Sequence, residues 1–127
     1  MPIVGLGTDL VRVERFRTFV ANKKTALLGR LFTLGEREYA FAKKDPAPHL
    51  AARFAAKESC LKAFGLGLRE GISWHEMEVV PDALGRPDLQ LTGRAAQIAA
   101  IKQVEVVLLS YSHDGDYAVA TVILERL

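Results

Sequence analysis

The chain reads as an α+β protein, with helices in its first half, a mostly antiparallel sheet in its second, and a long central helix for the sheet to pack on. Three observations predict this. Residues 48–65 carry a stretch rich in good helix formers (Ala, Leu, Lys and Glu) between a proline and a glycine. From Trp74 onward the pattern switches to short β-branched runs separated by turn residues. Helices come first and paired strands later, without the strict alternation that builds a parallel sheet.

The chain has 127 residues, and we expect one domain spanning 1–127. That length supports a core without disulfides or metal staples. Half of the residues are hydrophobic, which argues against disorder, but aromatics are few. Alanine and leucine fill much of the interior, leaving little depth for a self-contained pocket, so an oligomer that completes one is expected. The formal net charge of +2 gives no footing for nucleic-acid binding. The single cysteine, Cys60, excludes an internal disulfide and reads as a small packing residue. The first ten residues include Asp9 and lack a basic-then-apolar leader pattern, and no apolar run approaches a membrane span. A cytoplasmic location is expected, with no membrane partner.

The elements follow in order. Residues 2–8 read as a short strand in which Gly5 and Gly7 permit close backbone approach, and Asp9 stands at its end. Asp9 there serves equally as a metal ligand or as the N-cap of the next helix. Residues 11–22 form an amphipathic helix with Val13, Phe16 and Val20 on one face. Arg12, Arg15, Arg17, Lys23 and Lys24 make this the most basic part of the chain, read either as a solvated face or as a docking surface for an acidic partner. Thr33 and Glu36 have capping-box spacing and open a helix to about Lys44, broken by Asp45-Pro46-Ala47-Pro48.

The central helix begins near Pro48 and stops at Gly65, with Gly65-Leu66-Gly67 and Gly71 as a flexible connection. At about 100° per residue, Leu50, Phe54, Leu61 and Phe64 share a stripe of roughly 80° that faces the core. Lys57 projects into that stripe, and Glu58 lies beside it with Lys62 one turn on. Glu58 and Lys62 fit an exposed i,i+4 pair, and Lys57 fits a side chain that snorkels past the core. The same groups, with Ala51 and Ala55 leaving room, fit a site for an anion and a metal. Beyond the connection, 76–81 and 88–91 are strands around the turn 82–87. Thr92 caps a helix over 93–102. Residues 104–112 and 117–124 are the two strands of a hairpin that turns at His113-Asp114-Gly115-Asp116.

The candidate constellation is Asp9, Glu58, Lys62, His113 and Asp114. Carboxylate oxygens suit Mg²⁺, and two of them suffice only when a substrate supplies further oxygens. That points to a nucleotide or pyrophosphate ligand, which Arg53, Lys57, Lys62 and Lys44 would neutralise. The phosphate-loop and dinucleotide glycine motifs are absent, as are the zinc motifs and the hydrolase elbow. His113, at a turn, reads as a base, a phosphate contact or a solvated side chain.

Three ordered stretches now matter together: Gly5-Leu6-Gly7-Thr8-Asp9-Leu10-Val11; Arg53-Phe54-Ala55-Ala56-Lys57-Glu58 with Lys62-Ala63 and Gly65; and Ser112-His113 followed by Tyr117-Ala118-Val119-Ala120. In this order and spacing they resemble the signature set of holo-acyl-carrier-protein synthases, small bacterial 4′-phosphopantetheinyl transferases. Val79-Val80-Pro81 with Gly85 and Pro87 resembles that family's hairpin, so the likeness covers nearly the whole chain.

The resemblance implies a reaction: the phosphopantetheine arm of coenzyme A is transferred to a serine of apo acyl carrier protein, with Mg²⁺, for fatty acid biosynthesis, and adenosine 3′,5′-bisphosphate leaves. It assigns Asp9 and Glu58 to the metal, and Lys62 to the reacting phosphate. Lys44, Arg53, Ser112 and His113 fall to the phosphates of coenzyme A, and Gly85 and Pro87 to its adenine. The serine proton needs an acceptor, for which Glu58, His113 and a metal-held water are the candidates. A homotrimer with active sites at subunit interfaces is also implied, and the basic first helix, with Arg12, Arg15, Arg17, Lys23 and Lys24, matches the region that docks the acidic carrier protein. One departure stands out: Arg12 occupies a position where the family often has an acid, so no third metal ligand is expected there. Asp114 serves equally as an extra ligand or a turn former. Two rival readings stay open from the residues alone: a non-catalytic basic module for an acidic protein, and another small Mg²⁺-dependent nucleotide-processing enzyme.

Overall fold

The structure, a computed structural model, describes residues 2–66 and 70–127. The expected glycine connection falls partly on Gly67, which lies outside the described residues. The chain runs β1 (Ile3–Arg12), α1 (Val13–Ala21), α2 (Thr25–Leu31), α3 (Leu34–Phe41) and α4 (Ala47–Phe64). A 3-10 turn at Trp74–Glu76 follows, then β2 (Met77–Pro81), β3 (Pro87–Leu91), α5 (Gly93–Ile101), β4 (Val106–Asp114) and β5 (Tyr117–Glu125). The architecture is α+β, as expected. Every strand pair is antiparallel: β1, β5 and β4 form one three-stranded sheet in that order, and β2 and β3 form a separate hairpin.

Several boundaries differ from the sequence reading, each for a structural reason. The first strand continues through Asp9 to Arg12, because β5 offers ladder partners as far as Tyr117. Asp9 is therefore a mid-strand residue, and it caps no helix; α1 starts after Arg12 without a side-chain cap. Likewise β4 runs on through His113 and Asp114, and the turn shrinks to Gly115-Asp116, with Gly115 at φ 57° as a tight hairpin turn requires. His113 and Asp114 are strand residues, not turn residues. The short helix α2 was not anticipated, and α3 ends at Phe41, earlier than expected. Thr92 makes no cap bond to α5; the Arg94 amide donates instead to Glu76 Oε2 at 3.0 Å.

The capping box at Thr33–Glu36 is present in full, and α4 ends at Gly65 with φ 78° in a left-handed cap. Helix α4 is buried along almost its whole length. Its residues Leu50, Phe54, Leu61 and Phe64 join Val11, Val13, Phe16, Val122 and Leu124 in the main hydrophobic cluster. On one side α4 lies against β1 and β5. The alternation of the strands turns Gly7, Asp9 and Val11 of β1, and Ala118, Ala120 and Val122 of β5, toward the helix. The opposite face of the sheet exposes Leu6, Leu10, Tyr117 and Val119.

Two glycines set how close strand and helix come. A Cβ at Gly7 would fall on the Ser59 carbonyl oxygen, and one at Gly5 on that of Ala63. Both partners are helix backbone, which does not yield. Only glycine lets β1 lie this flat on α4, and the contact delivers Asp9 beside the middle of the helix.

Candidate active site

At the β1–α4 contact Lys62 Nζ donates to Asp9 Oδ1 at 2.9 Å and to the Thr8 carbonyl at 3.0 Å. The Lys62 side chain is half exposed and Asp9 is 16% exposed, so the pair sits at the mouth of the contact. Glu58 stands one helical turn before Lys62. Its carboxyl is pushed above the usual range, first by burial and next by the negative charge of Asp9, against which Lys62 and Arg15 act. The two carboxylates thus sense each other across the helix–strand contact. Lys62 pairs with Asp9, so the exposed i,i+4 pair with Glu58 does not form.

Two carboxylates whose charges oppose each other, one of them partly desolvated, fit a small hard cation. Among the described residues no group of three or more His, Cys, Asp or Glu side chains is arranged to hold a metal. A cation at Asp9 and Glu58 would therefore draw its remaining oxygens from water and ligand. The residues fit Mg²⁺ on those terms, since this ion keeps several waters and takes one or two carboxylates with phosphate oxygens.

Lys57 departs from the sequence reading. It is fully buried, and its Nζ donates to Glu36 Oε1 at 2.7 Å and to the Trp74 carbonyl at 2.8 Å. Burial lowers its pKa, and the charge of Glu36 works against that shift. Glu36 Oε2 accepts from the Val79 amide at 2.9 Å. Lys57 neutralises Glu36, a partner the sequence reading missed, and no ligand. The only hint of Glu36 was its place in the capping box, which points to a helix start and not to a core ion pair 21 residues away.

A second cluster forms where α3, α4 and β4 meet. Arg53 is buried, with its guanidinium carbon 4.0 Å from the Tyr39 ring centre and 6.0 Å from that of Tyr111. His113 packs edge to face on His49 at 5.3 Å, and His49 packs on Tyr39 at 5.9 Å. Neither His49 nor Tyr39 was singled out from sequence; His49 lies one turn before Arg53 on α4, a spacing that could have marked it. Asp9 and Tyr111 both pair with Ala120, one from each side, which puts the two clusters about 10 Å apart across the sheet.

The remaining candidates spread out. Ser112 and Asp114 turn to the face of β4 opposite His113. Lys44 is exposed in the link between α3 and α4. Gly85, at φ 83°, and Pro87 belong to the β2–β3 hairpin. Pro87 lines a cleft of about 290 Å³ with Asp82, Arg86, Val107 and Leu109. That cleft meets β4 at its start, roughly 13 Å along the strand from His113. On the basic face, Arg15 lies over the rings of Phe16 and Phe54, and Arg12 over Tyr117. Arg17 is already engaged by Glu14 at 2.9 Å and Asp45 at 2.7 Å, and it holds Asp45 below the usual carboxylate range. Lys23 and Lys24 are exposed. Cys60 is buried, which pushes its thiol up to about 12 and leaves it a packing residue.

Comparison with known proteins adds the following. The profile of the 4′-phosphopantetheinyl transferase superfamily matches residues 5–122. A holo-[acyl-carrier-protein] synthase from Syntrophotalea carbinolica is 59% identical over 121 residues, which is 95% of this chain and 94% of the relative. A crystal structure of the synthase of that name from Neisseria meningitidis superposes with a TM-score of 0.88 at 32% identity, covering 98% of this chain and all of the other. A Bacillus anthracis synthase in complex with CoA (3′,5′-ADP) superposes with a TM-score of 0.80, again at 32% identity and over 98% of each chain.

Proposed function

The chain belongs to the 4′-phosphopantetheinyl transferase superfamily, and from that premise we propose that it moves the phosphopantetheine arm of coenzyme A onto a serine of apo acyl carrier protein at the Asp9–Glu58–Lys62 contact. The serine oxygen bonds to the phosphorus that carries the pantetheine arm. The phosphoanhydride bond breaks, and adenosine 3′,5′-bisphosphate leaves.

The observation that carries the reading is the meeting of β1 and α4, which sets two mutually repelling carboxylates and a half-exposed lysine at one surface. Asp9 and Glu58 would hold Mg²⁺, which supplies Lewis-acid neutralisation of the diphosphate when bound. Lys62, anchored by Asp9 Oδ1 and the Thr8 carbonyl, keeps its ammonium aimed at the surface where the reacting phosphate sits. The serine proton passes to a nearby acceptor, a part open to His113, to Glu58 or to a metal-held water. Arg53 provides positive charge for the phosphates and His113 a ring nitrogen to bond them, with Lys44 and Ser112 as further contacts and Gly85 and Pro87 beside the adenine. Arg12, Arg15, Lys23 and Lys24 offer the docking surface for the acidic carrier protein, with Arg17 in a lesser share because two acids already hold it.

The same reading includes a homotrimer of single-domain chains, working in the cytoplasm. Two features support assembly. Leu6, Leu10, Tyr117 and Val119 leave one sheet face apolar and open. Within one chain, Ser112 faces the opposite side of β4 from His113, and the Gly85–Pro87 hairpin meets the far end of that strand, which supports a site completed by a neighbouring copy. Intact-protein mass spectrometry of an apo carrier protein incubated with coenzyme A and enzyme tests the function. The phosphopantetheine adduct is expected with Mg²⁺ and is lost with a chelator; no adduct across several carrier proteins would refute the assignment.

A further inference from the structure

His49 packs in the second cluster but has been given no role so far, and it sits among charges that have few acid partners among the described residues. Arg53 is 1% exposed, and among the described residues its Nε has no hydrogen-bond partner and its Nη1 reaches only the His49 carbonyl, at 3.5 Å. A buried guanidinium without a carboxylate is costly unless an anion completes it. His49 and His113 cover this spot from the surface, ring to ring at 5.3 Å. The charged and titratable groups facing His49 are Tyr39 on α3, Lys43 and Asp45 in the link that follows, Arg53 on its own helix and His113 on β4. All the charged ones but Asp45 are basic, and Asp45 is committed to Arg17 at 2.7 Å.

We propose that His49 is an anion-binding residue of this chain, which takes up a proton as a phosphate group of coenzyme A settles over the His49–His113 pair. The inference rests on coenzyme A being the cosubstrate. Its physical logic is mutual. In the free protein, burial first, then His113, Arg53 and Lys43, hold His49 below its ordinary pKa, so it is neutral near neutral pH. A phosphate dianion at this spot reverses the local field, and the imidazole then gains a proton and donates to the phosphate. Binding and protonation are linked. Affinity rises as pH falls through the bound-state value and levels off below the free-state value. Each pKa unit between the two states is worth about tenfold in affinity.

The test is calorimetric titration of coenzyme A, with Mg²⁺, into the native protein and into His49→Phe and His49→Gln. Phenylalanine keeps a ring against Tyr39 and His113, and glutamine keeps a donor without the titration. Each titration is run in two buffers of different ionisation enthalpy and repeated from mildly acidic to mildly basic pH. The native protein should take up protons on binding, and both variants should lose most of that uptake. Their affinity should fall roughly three- to tenfold at the acidic end and less at the basic end. The proton that coenzyme A phosphate itself exchanges is common to all three and cancels in the comparison. Unchanged proton uptake and pH slope in both variants would overturn the role of His49 alone. Failure of native protein to bind coenzyme A at any pH would overturn the cosubstrate assignment with it.

Discussion

Helix α4 carries two lysine–carboxylate pairs five residues apart, and they differ in almost every physical respect. Lys57 and Glu36 are 2.7 Å apart with both side chains fully buried. Lys62 and Asp9 are 2.9 Å apart with side chains 52% and 16% exposed. The buried pair has its polar valences filled by the Thr33 and Val79 amides and the Trp74 carbonyl, so it locks α3, α4 and β2 together. The exposed pair stands beside a second carboxylate, Glu58, whose charge nothing nearby fully offsets. One pair is closed and belongs to the fold, and the other is open and lies at the site proposed for the chemistry. Adjacent residues, Lys57 and Glu58, part ways because one helical step of about 100° turns the first into the core and the second toward β1.

The sharpest way to break the contrast is Lys57→Ala. It strands Glu36 in the core, and a loss of about 3–5 kcal/mol is expected by urea denaturation. A loss under 1 kcal/mol would mean that the pair is not structural. Asp9→Ala should do the reverse: transfer activity drops on the order of 10²-fold or more, while the thermal midpoint stays within a few degrees of the native one. A collapse of the fold in that variant would erase the distinction.

Gly7→Ala links the two regions. Its Cβ would strike the Ser59 carbonyl, so β1 must lift from α4. We expect about 1–3 kcal/mol of destabilisation together with reduced activity, even though glycine itself touches no ligand. The smallest effect is the most diagnostic. Glu58 has a folded-state pKa above its unfolded one, so its protonated form favours the fold. That contribution is present below the unfolded value of 4.5 and disappears as pH rises through the folded value. Without metal, Glu58→Gln should therefore melt slightly higher than native protein near neutral pH, and the difference should vanish in acid. A lower neutral-pH midpoint would show that the Glu58 carboxylate is stabilised where it stands.

Much of this was legible in the residues. The bounds of α4, the Thr33–Glu36 box and both hairpins follow from local signals: helix formers, caps and turn glycines. The grouping of Asp9 with Glu58 and Lys62 came instead from the motif resemblance. What was missed is non-local. Lys57 stood out in an apolar stripe, but its partner Glu36 comes from another helix, and no spacing rule connects them. The strand ends at Asp9 and His113 were set too early because aspartate and histidine are poor strand formers by themselves. Ladder pairing with β5 overrides that preference. Helix α2 follows a turn in which Lys23 adopts φ 53°, a conformation that composition does not announce.

The central claim is that β1 and α4 jointly build a metal-dependent diphosphate site on the open pair. The most direct test is the affinity for coenzyme A measured with and without Mg²⁺ in native protein and in a folded Asp9→Asn variant. We predict that Mg²⁺ tightens binding to the native chain about tenfold or more and leaves the variant unchanged. An equal Mg²⁺ effect in both would contradict the account.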